Sequence, residues 1–190
     1  MRLEEIIHDR YEFTEDDKAI IDISLEALSD LFNSFDNKTS FYKRELDQDF
    51  EDYLVSSVKE LEGHPFIIRI NIENNYDKVS EEPSRNAIKN HFRFLYWKEK
   101  KKIGGAIRKF LLLTLLGTAL MAFYYQHGVF IKDFENIPTY SKITIEGINI
   151  AGWVAFWEAF TCLIFDFIPI TRNRKLYESI SHAEVKLGKA

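Results

Sequence analysis

The chain has 190 residues, a formal net charge of −5, a mean hydropathy of −0.23 and one cysteine. Taken as averages these values describe an ordinary soluble domain. The lone Cys162 excludes an intrachain disulfide framework, and the first residues lack the apolar core of a cleavable signal peptide, so none is expected. The averages hide three zones. Residues 1–90 carry 11 Lys and Arg against 22 Asp and Glu; residues 91–109 carry 7 against 1; residues 110–190 carry 7 of each. An acidic region, a basic collar and a neutral apolar region in that order suit a membrane-anchored protein.

Residues 1–97 are expected to form an acidic cytosolic α+β domain. Thr14, followed by Glu15, Asp16 and Asp17, has the composition of a helix start. Residues 19–35 have mixed periodicity that suits neither helix nor strand cleanly. Leu46, Phe50, Tyr53, Leu54, Val58 and Leu61 then form a helical stripe, which Gly63 stops. His64 and Pro65 turn the chain. Phe66, Ile68, Ile70 and Ile72 alternate with Ile67, Arg69 and Asn71, which predicts a strand. One strand cannot stand alone, so its partners come from residues 20–32 or from another subunit. Ile88, Phe92 and Leu95 return to helical spacing and lead towards the collar.

The collar, residues 98–109, holds Lys98, Lys100, Lys101, Lys102, Arg108 and Lys109. Beside an apolar segment these cations are expected to face anionic lipid headgroups, and no nucleic acid is expected. Gly104 and Gly105 mark a candidate hinge within the helix. The first membrane span is placed at residues 110–126, with residues 103–107 extending it and Arg108 and Lys109 snorkelling back to the headgroups. Phe123, Tyr124 and Tyr125 suit an interfacial aromatic belt. His127 stands at its edge. Residues 127–147 are read as an extracytoplasmic connector, in which SKITIEGI alternates like a short extended segment.

The second span is placed at residues 148–171. Glu158 and Asp166 lie inside it, eight residues apart, which is about 80° around a regular helix. Ionisable groups in hydrocarbon cost a few kcal/mol and face a partner or water. Asp166 is close enough to the basic end to pair with Arg172 or Arg174. Trp153 and Trp157 share one stripe at i, i+4. Residues 172–190 are read as a basic cytosolic tail, with Arg172, Arg174 and Lys175 also facing headgroups. Positive charge on both outer flanks puts both termini in the cytoplasm and the protein in the cytoplasmic (inner) membrane.

The residues carry no recognisable reaction. No Gly-rich phosphate loop, no Cys/His metal set and no nucleophile elbow is present, so neither a cofactor nor a catalytic residue is expected. Arg85 and His91 have an Arg-to-His spacing seen in some helical RNases, without a second catalytic group beside them.

Two stretches are similar to a family of short prokaryotic two-span membrane proteins of unknown function. In residues 152–187 the similarity lies in Trp153-Val154-Ala155-Phe156-Trp157, then Asp166-Phe167-Ile168-Pro169, then the basic run from Arg172 to Tyr177. In residues 31–55 it lies in an acidic helix after a small polar loop. Where that family has a proline after the second Trp, this chain has Glu158-Ala159. The resemblance implies two spans and a cytosolic α/β domain, and it implies no activity.

The expected function is therefore that of a homo-oligomeric integral membrane protein with a channel-like or membrane-sensor role. Gly117, Glu158 and the two Trp residues would pack against copies of the chain. The alternatives are a membrane-anchored scaffold recruiting a soluble partner through the acidic domain, and a lipid- or nucleotide-acting enzyme, which the missing catalytic set disfavours.

Overall fold

The computed structural model describes residues 7, 9–33, 44–74, 78–126 and 138–189. The chain divides into two compact units: residues 1–97 with 173–190, and residues 98–172.

The first unit is α+β, built on a four-stranded sheet. Strands β1 (Glu12–Phe13), β2 (Ala19–Ala27), β3 (Phe66–Asn74) and β4 (Glu184–Lys189) lie in the spatial order β1-β2-β3-β4. β1 and β2 pair antiparallel, while β2 with β3 and β3 with β4 pair parallel. Parallel neighbours need a crossover connection. Helix α1 (Gln48–Glu60) supplies the one between β2 and β3. The connection from β3 to β4 is of another kind: it contains the whole apolar half of the chain. Helix α2 (Glu81–Tyr124) leaves after β3. Helix α3 (Thr139–Thr161), a π-helical segment (Cys162–Phe167) and helix α4 (Ile168–His182) return to β4.

Alternation along each strand sorts its side chains. Ala19, Ile21 and Ile23 on β2, Ile68, Ile70 and Ile72 on β3, and Val185 and Leu187 on β4 point to one buried core. Phe50, Leu54, Val58 and Leu61 of α1, Ala87, Ile88 and Phe92 of α2, and Ile180 of α4 cover that face. Residues between them, such as Asp22 and Arg69, take the other face. Asp47 caps α1, its carboxylate accepting from the Asp49 and Phe50 amides at 2.9 and 3.3 Å. Glu62 (φ 47°) and Gly63 (φ 97°) end it in the left-handed region.

Several expectations are corrected here. Thr14 starts no helix. Its hydroxyl accepts from the Lys18 amide, and Asp17 takes φ 59°, so residues 14–18 turn the β1–β2 hairpin. Residues 19–27, which suited neither element, form β2, and Leu28–Leu31 follow as a short 3-10 turn. The strand of residues 66–74 finds its partners within its own chain, which removes the reason for invoking another subunit there. The segment SKITIEGI is helical, because α3 begins at Thr139 rather than at residue 148. The Thr144 hydroxyl bonds back to the Tyr140 carbonyl at 2.9 Å, satisfying locally a group that otherwise favours extended chain. Residues 172–190 form no loose tail, since they contain most of α4 and all of β4. The connector's residues 127–137, His127 and part of the stretch 31–55 lie outside the described residues.

The second unit is a helical hairpin with an inverted distribution of side chains. Small residues fill its seam: Ala106 and Gly117 on α2, Gly152, Ala155 and Ala159 on α3, and Cys162 are buried. A Cβ on Gly117 would stand 3.2 Å from the Gly152 carbonyl oxygen, and one on Gly152 would stand 3.2 Å from Met121 Cγ. Large apolar side chains cover the outside, among them Leu111, Leu112, Leu115, Trp153, Val154, Trp157 and Phe160. Two helices are long and apolar enough to cross a membrane. Only 6 % and 22 % of their most apolar windows are buried inside the chain, the reverse of a soluble core helix. At 44 residues α2 is about 66 Å long, twice the roughly 30 Å of a hydrocarbon core, so its apolar stretch is only part of it.

Candidate functional site

The two carboxylates inside the second apolar run need a counter-charge, and the hairpin supplies it from its other arm. Lys109 Nζ of α2 lies 3.1 Å from Glu158 Oε1 and 3.5 Å from Asp166 Oδ2. Cys162, midway between the two acids, is buried and donates its thiol to the Ala106 carbonyl at 3.5 Å. The π segment explains why one ammonium reaches both acids. In a regular α-helix they would diverge by about 80°. A π turn closes i→i+5 bonds and advances by roughly 80° per residue instead of 100°, so residues 162–167 swing Asp166 back towards the line of Glu158 and Cys162. The three polar side chains remain about half exposed, at 49 %, 48 % and 46 %.

This arrangement changes the roles expected for several residues. Lys109, expected among the headgroup-facing cations, forms ion pairs with Glu158 and Asp166 of the other arm. Lys102 pairs with Glu99, which is itself 7 % exposed. Asp166 meets Lys109 and not Arg172 or Arg174. Arg174 is half-buried, while Lys98, Lys100, Lys101, Arg108, Arg172 and Lys175 are exposed. Trp153 and Trp157 stand on the outer surface at 64 % and 74 % exposure. Gly104 and Gly105 lie inside α2, whose helix runs through both positions. Gly117 is used within the hairpin, so its close approach is spent on the chain's own second arm.

A second polar cluster, absent from the sequence reading, lies in the sheet domain. Register places Asp22 of β2 beside Arg69 of β3. Arg69 donates Nε to Asp22 Oδ1 at 3.0 Å, and its Nη2 donates to Asp22 Oδ2 and, at 2.7 Å, to Glu12 Oε2 of β1. Asn71 adds a bond to Asp22 Oδ1 at 2.9 Å. The Arg69 hydrogen bonds hold the Asp22 carboxyl below its ordinary pKa, and the two acids hold the Arg69 guanidinium above its own. Beside them a cavity of about 260 Å³ is lined by Arg10, Tyr11, Glu12, Ile20, Asp22, Tyr53 and Arg69. Tyr11 donates to Glu60 at 2.9 Å; burial and that carboxylate push its phenol up. The signal for this cluster was the opposite charge at paired strand positions, legible only once β2 is known to be a strand.

Arg85 and His91 are engaged separately. Arg85 pairs with Glu81 one turn back at 2.5 Å, and His91 meets Glu51 of α1 at 2.7 Å. Each thus has a structural partner. Among the described residues no group of three or more His, Cys, Asp or Glu side chains is placed to hold a metal ion. No protein-family model, curated protein or solved structure matches this chain, and the similarity of residues 31–55 and 152–187 to two-span membrane proteins therefore assigns it to no family.

Proposed function

We propose that the protein is an integral membrane sensor: a two-helix hairpin embedded in the bilayer that transmits the state of the bilayer to a cytosolic α+β domain. The observation that carries this reading is the connectivity. The hairpin is spliced into the crossover between two adjacent parallel strands, β3 and β4. Both of its arms are therefore covalently continuous with the core of the sheet domain. An anchor alone needs one such attachment. The exposed apolar side chains of residues 110–125 and 148–170 support lipid as the surrounding solvent, because so large an apolar surface is not sustained in water. Basic residues at both outer flanks support cytoplasmic termini and the inner membrane, with exposed Lys98, Lys100, Lys101, Arg108, Arg172 and Lys175 meeting anionic headgroups.

The pairing of Glu158 and Asp166 with Lys109 favours the sensor over a channel, in which Glu158 would line a path in place of bonding within its own hairpin. A homo-oligomer would use the outer Trp153–Trp157 stripe, since the small-residue seam is already filled. Under the scaffold alternative the acidic domain would retain a soluble partner whatever the bilayer.

The test is hydrogen exchange on the full chain reconstituted in nanodiscs of short- and long-chain lipid. The expected result is resistance to alkaline extraction together with a several-fold change in amide exchange of β3 and β4 between the two thicknesses. Identical exchange in both removes the sensor. Ion flux in liposomes that responds to Glu158→Gln would restore the channel.

A further inference from the structure

We propose that the open edge of β2 is a docking groove for an extended segment of another protein in which basic and apolar residues alternate. The inference goes beyond the sensor reading and rests on the sheet domain alone. β1 covers the edge of β2 only at Ala19 and Ile20. The Tyr11 amide donates to the Ile7 carbonyl at 3.0 Å, so the chain ahead of Glu12 closes a turn and leaves the row that β1 would otherwise continue. Among the described residues no other strand takes up that row, while β2 runs on beside it to Ala27. Backbone groups of successive strand residues point to opposite edges. The Ala19 amide donates towards β3, to the Pro65 carbonyl at 2.9 Å, so the amides and carbonyls of Asp22, Ser24 and Glu26 point to the open row. The Tyr53 hydroxyl, 3.5 Å from the Asp22 carbonyl, marks that direction. Such an edge is a template for one more strand.

Helix α1 forms the second wall. Its Tyr53 reaches Asp22, and its Glu60 accepts from the Tyr11 hydroxyl at 2.9 Å and pairs with Arg10 at 3.3 Å. Asp49 and Ser56 share that side of the helix by their spacing from Tyr53. Tyr53 itself is 52 % exposed. A strand lying in the row would send alternate side chains towards α1, beside Ile21, Ile23 and the Tyr53 ring. The others would lie beside Asp22, Ser24 and Glu26, all exposed. The first set calls for apolar residues.

Charge decides the second set. The carboxylates of Glu12, Asp22, Glu26, Asp49 and Glu60 border the groove. The cations there are Arg10 and Arg69, and both are already ion-paired. The surplus is negative, so basic side chains are its complement. The same surplus disfavours a second copy of this edge as the occupant. Two β2 strands paired antiparallel about Ser24 would set Asp22 against Glu26, like charge against like. At the β1 end the cavity of about 260 Å³, walled in part by Tyr11 and Tyr53, gives room for a side chain at the end of the docked segment.

The probe is a fluorescein-labelled peptide of alternating valine and lysine, titrated by fluorescence anisotropy with the full chain in nanodiscs of uncharged phosphatidylcholine. Empty nanodiscs supply the background. Saturable binding is expected, with a valine–glutamate peptide bound far more weakly. Ser24→Pro removes a donor that faces the open row, a place where an edge strand tolerates proline. It is expected to weaken binding about ten-fold or more while slow amide exchange in β3 persists. Methylating alternate peptide nitrogens should weaken it similarly. Glu26→Lys, an exposed change, should narrow or reverse the preference for lysine over glutamate. Absence of saturable binding overturns the proposal and leaves the acidic edge as a guard against pairing. Binding that survives both Ser24→Pro and methylation overturns it as well, since charge alone would then hold the peptide. Self-association of the full chain abolished by Ser24→Pro, with no peptide bound, places a second copy in the groove instead. None of these outcomes touches the sensor reading, which stands or falls on the response of β3 and β4 to bilayer thickness.

Discussion

Asp22 shows how one side chain's environment becomes a testable property of the protein. It accepts from Arg69 and Asn71, and its folded-state pKa is thereby lowered. The unfolded chain then binds more protons than the folded one as pH drops. The contribution is complete above the unfolded carboxylate value of about 4 and is lost as pH falls through the lower folded value. Asp22→Asn should therefore destabilise the sheet near neutral pH and be almost silent in strong acid, as read from denaturant midpoints of β2 and β3 amide exchange at the two pH values. An equal loss at both would mean that packing, not charge, is what Asp22 supplies. Because the side chain is 43 % exposed, the effect is modest. The same register logic applies to the hairpin, where the partner of each acid is set by which face of α2 meets the second arm: Lys109 reaches them, and its neighbour Arg108 does not pair with them.

Helix α2 contains two kinds of glycine with opposite consequences. Gly117 lies where the arms touch, with a Cβ held to 3.2 Å from backbone oxygen and from Phe156. Gly117→Val should force the arms apart and cost about 1–3 kcal/mol, seen as a lower midpoint in thermal unfolding followed by tryptophan fluorescence. A Cβ on Gly104 meets nothing within 4 Å. Gly104→Ala should instead gain about 0.8–1 kcal/mol from helix propensity and slow amide exchange over residues 100–108. Faster exchange there, or an unchanged midpoint for Gly117→Val, would contradict the packing described. That contrast also decides the hinge. A double Gly104→Ala, Gly105→Ala chain that keeps the exchange response of β3 and β4 to bilayer thickness would show that no bend is needed at that point.

Across the whole molecule the controlling fact is that β4, at residues 184–189, closes a sheet begun at residue 12. Val185 and Leu187 are 2 % and 8 % exposed, and each buried side chain of this size contributes roughly 1.5–3 kcal/mol. Removing residues 184–190 leaves β3 as an unpaired edge and takes Val185 and Leu187 from beside Ile68 and Ile70. The truncated chain should lose slow exchange throughout β3 and still remain in the alkaline-resistant membrane fraction, because its apolar helices are untouched. Retained protection in β3 would make β4 a dispensable edge. Loss from the membrane fraction would contradict the separation of the chain into two units.

What the chain alone makes legible is whatever repeats over a local window. The stripe of α1, the alternation of β3 and the two apolar runs with their charged flanks all recur at a fixed spacing, so neighbouring residues suffice to read them. β2 was ambiguous because Ile20, Ile21 and Ile23 sit together and blur the period. β4 was hidden because six residues with two lysines read as a solvated tail until β3 stands beside them. The demand for a counter-charge to Glu158 and Asp166 was also legible, since hydrocarbon penalises an unpaired carboxylate whatever the fold. Its answer was not. The choice of Lys109 depends on antiparallel arms meeting along a seam of small residues and on a π turn that realigns two acids, and no local spacing encodes either contact.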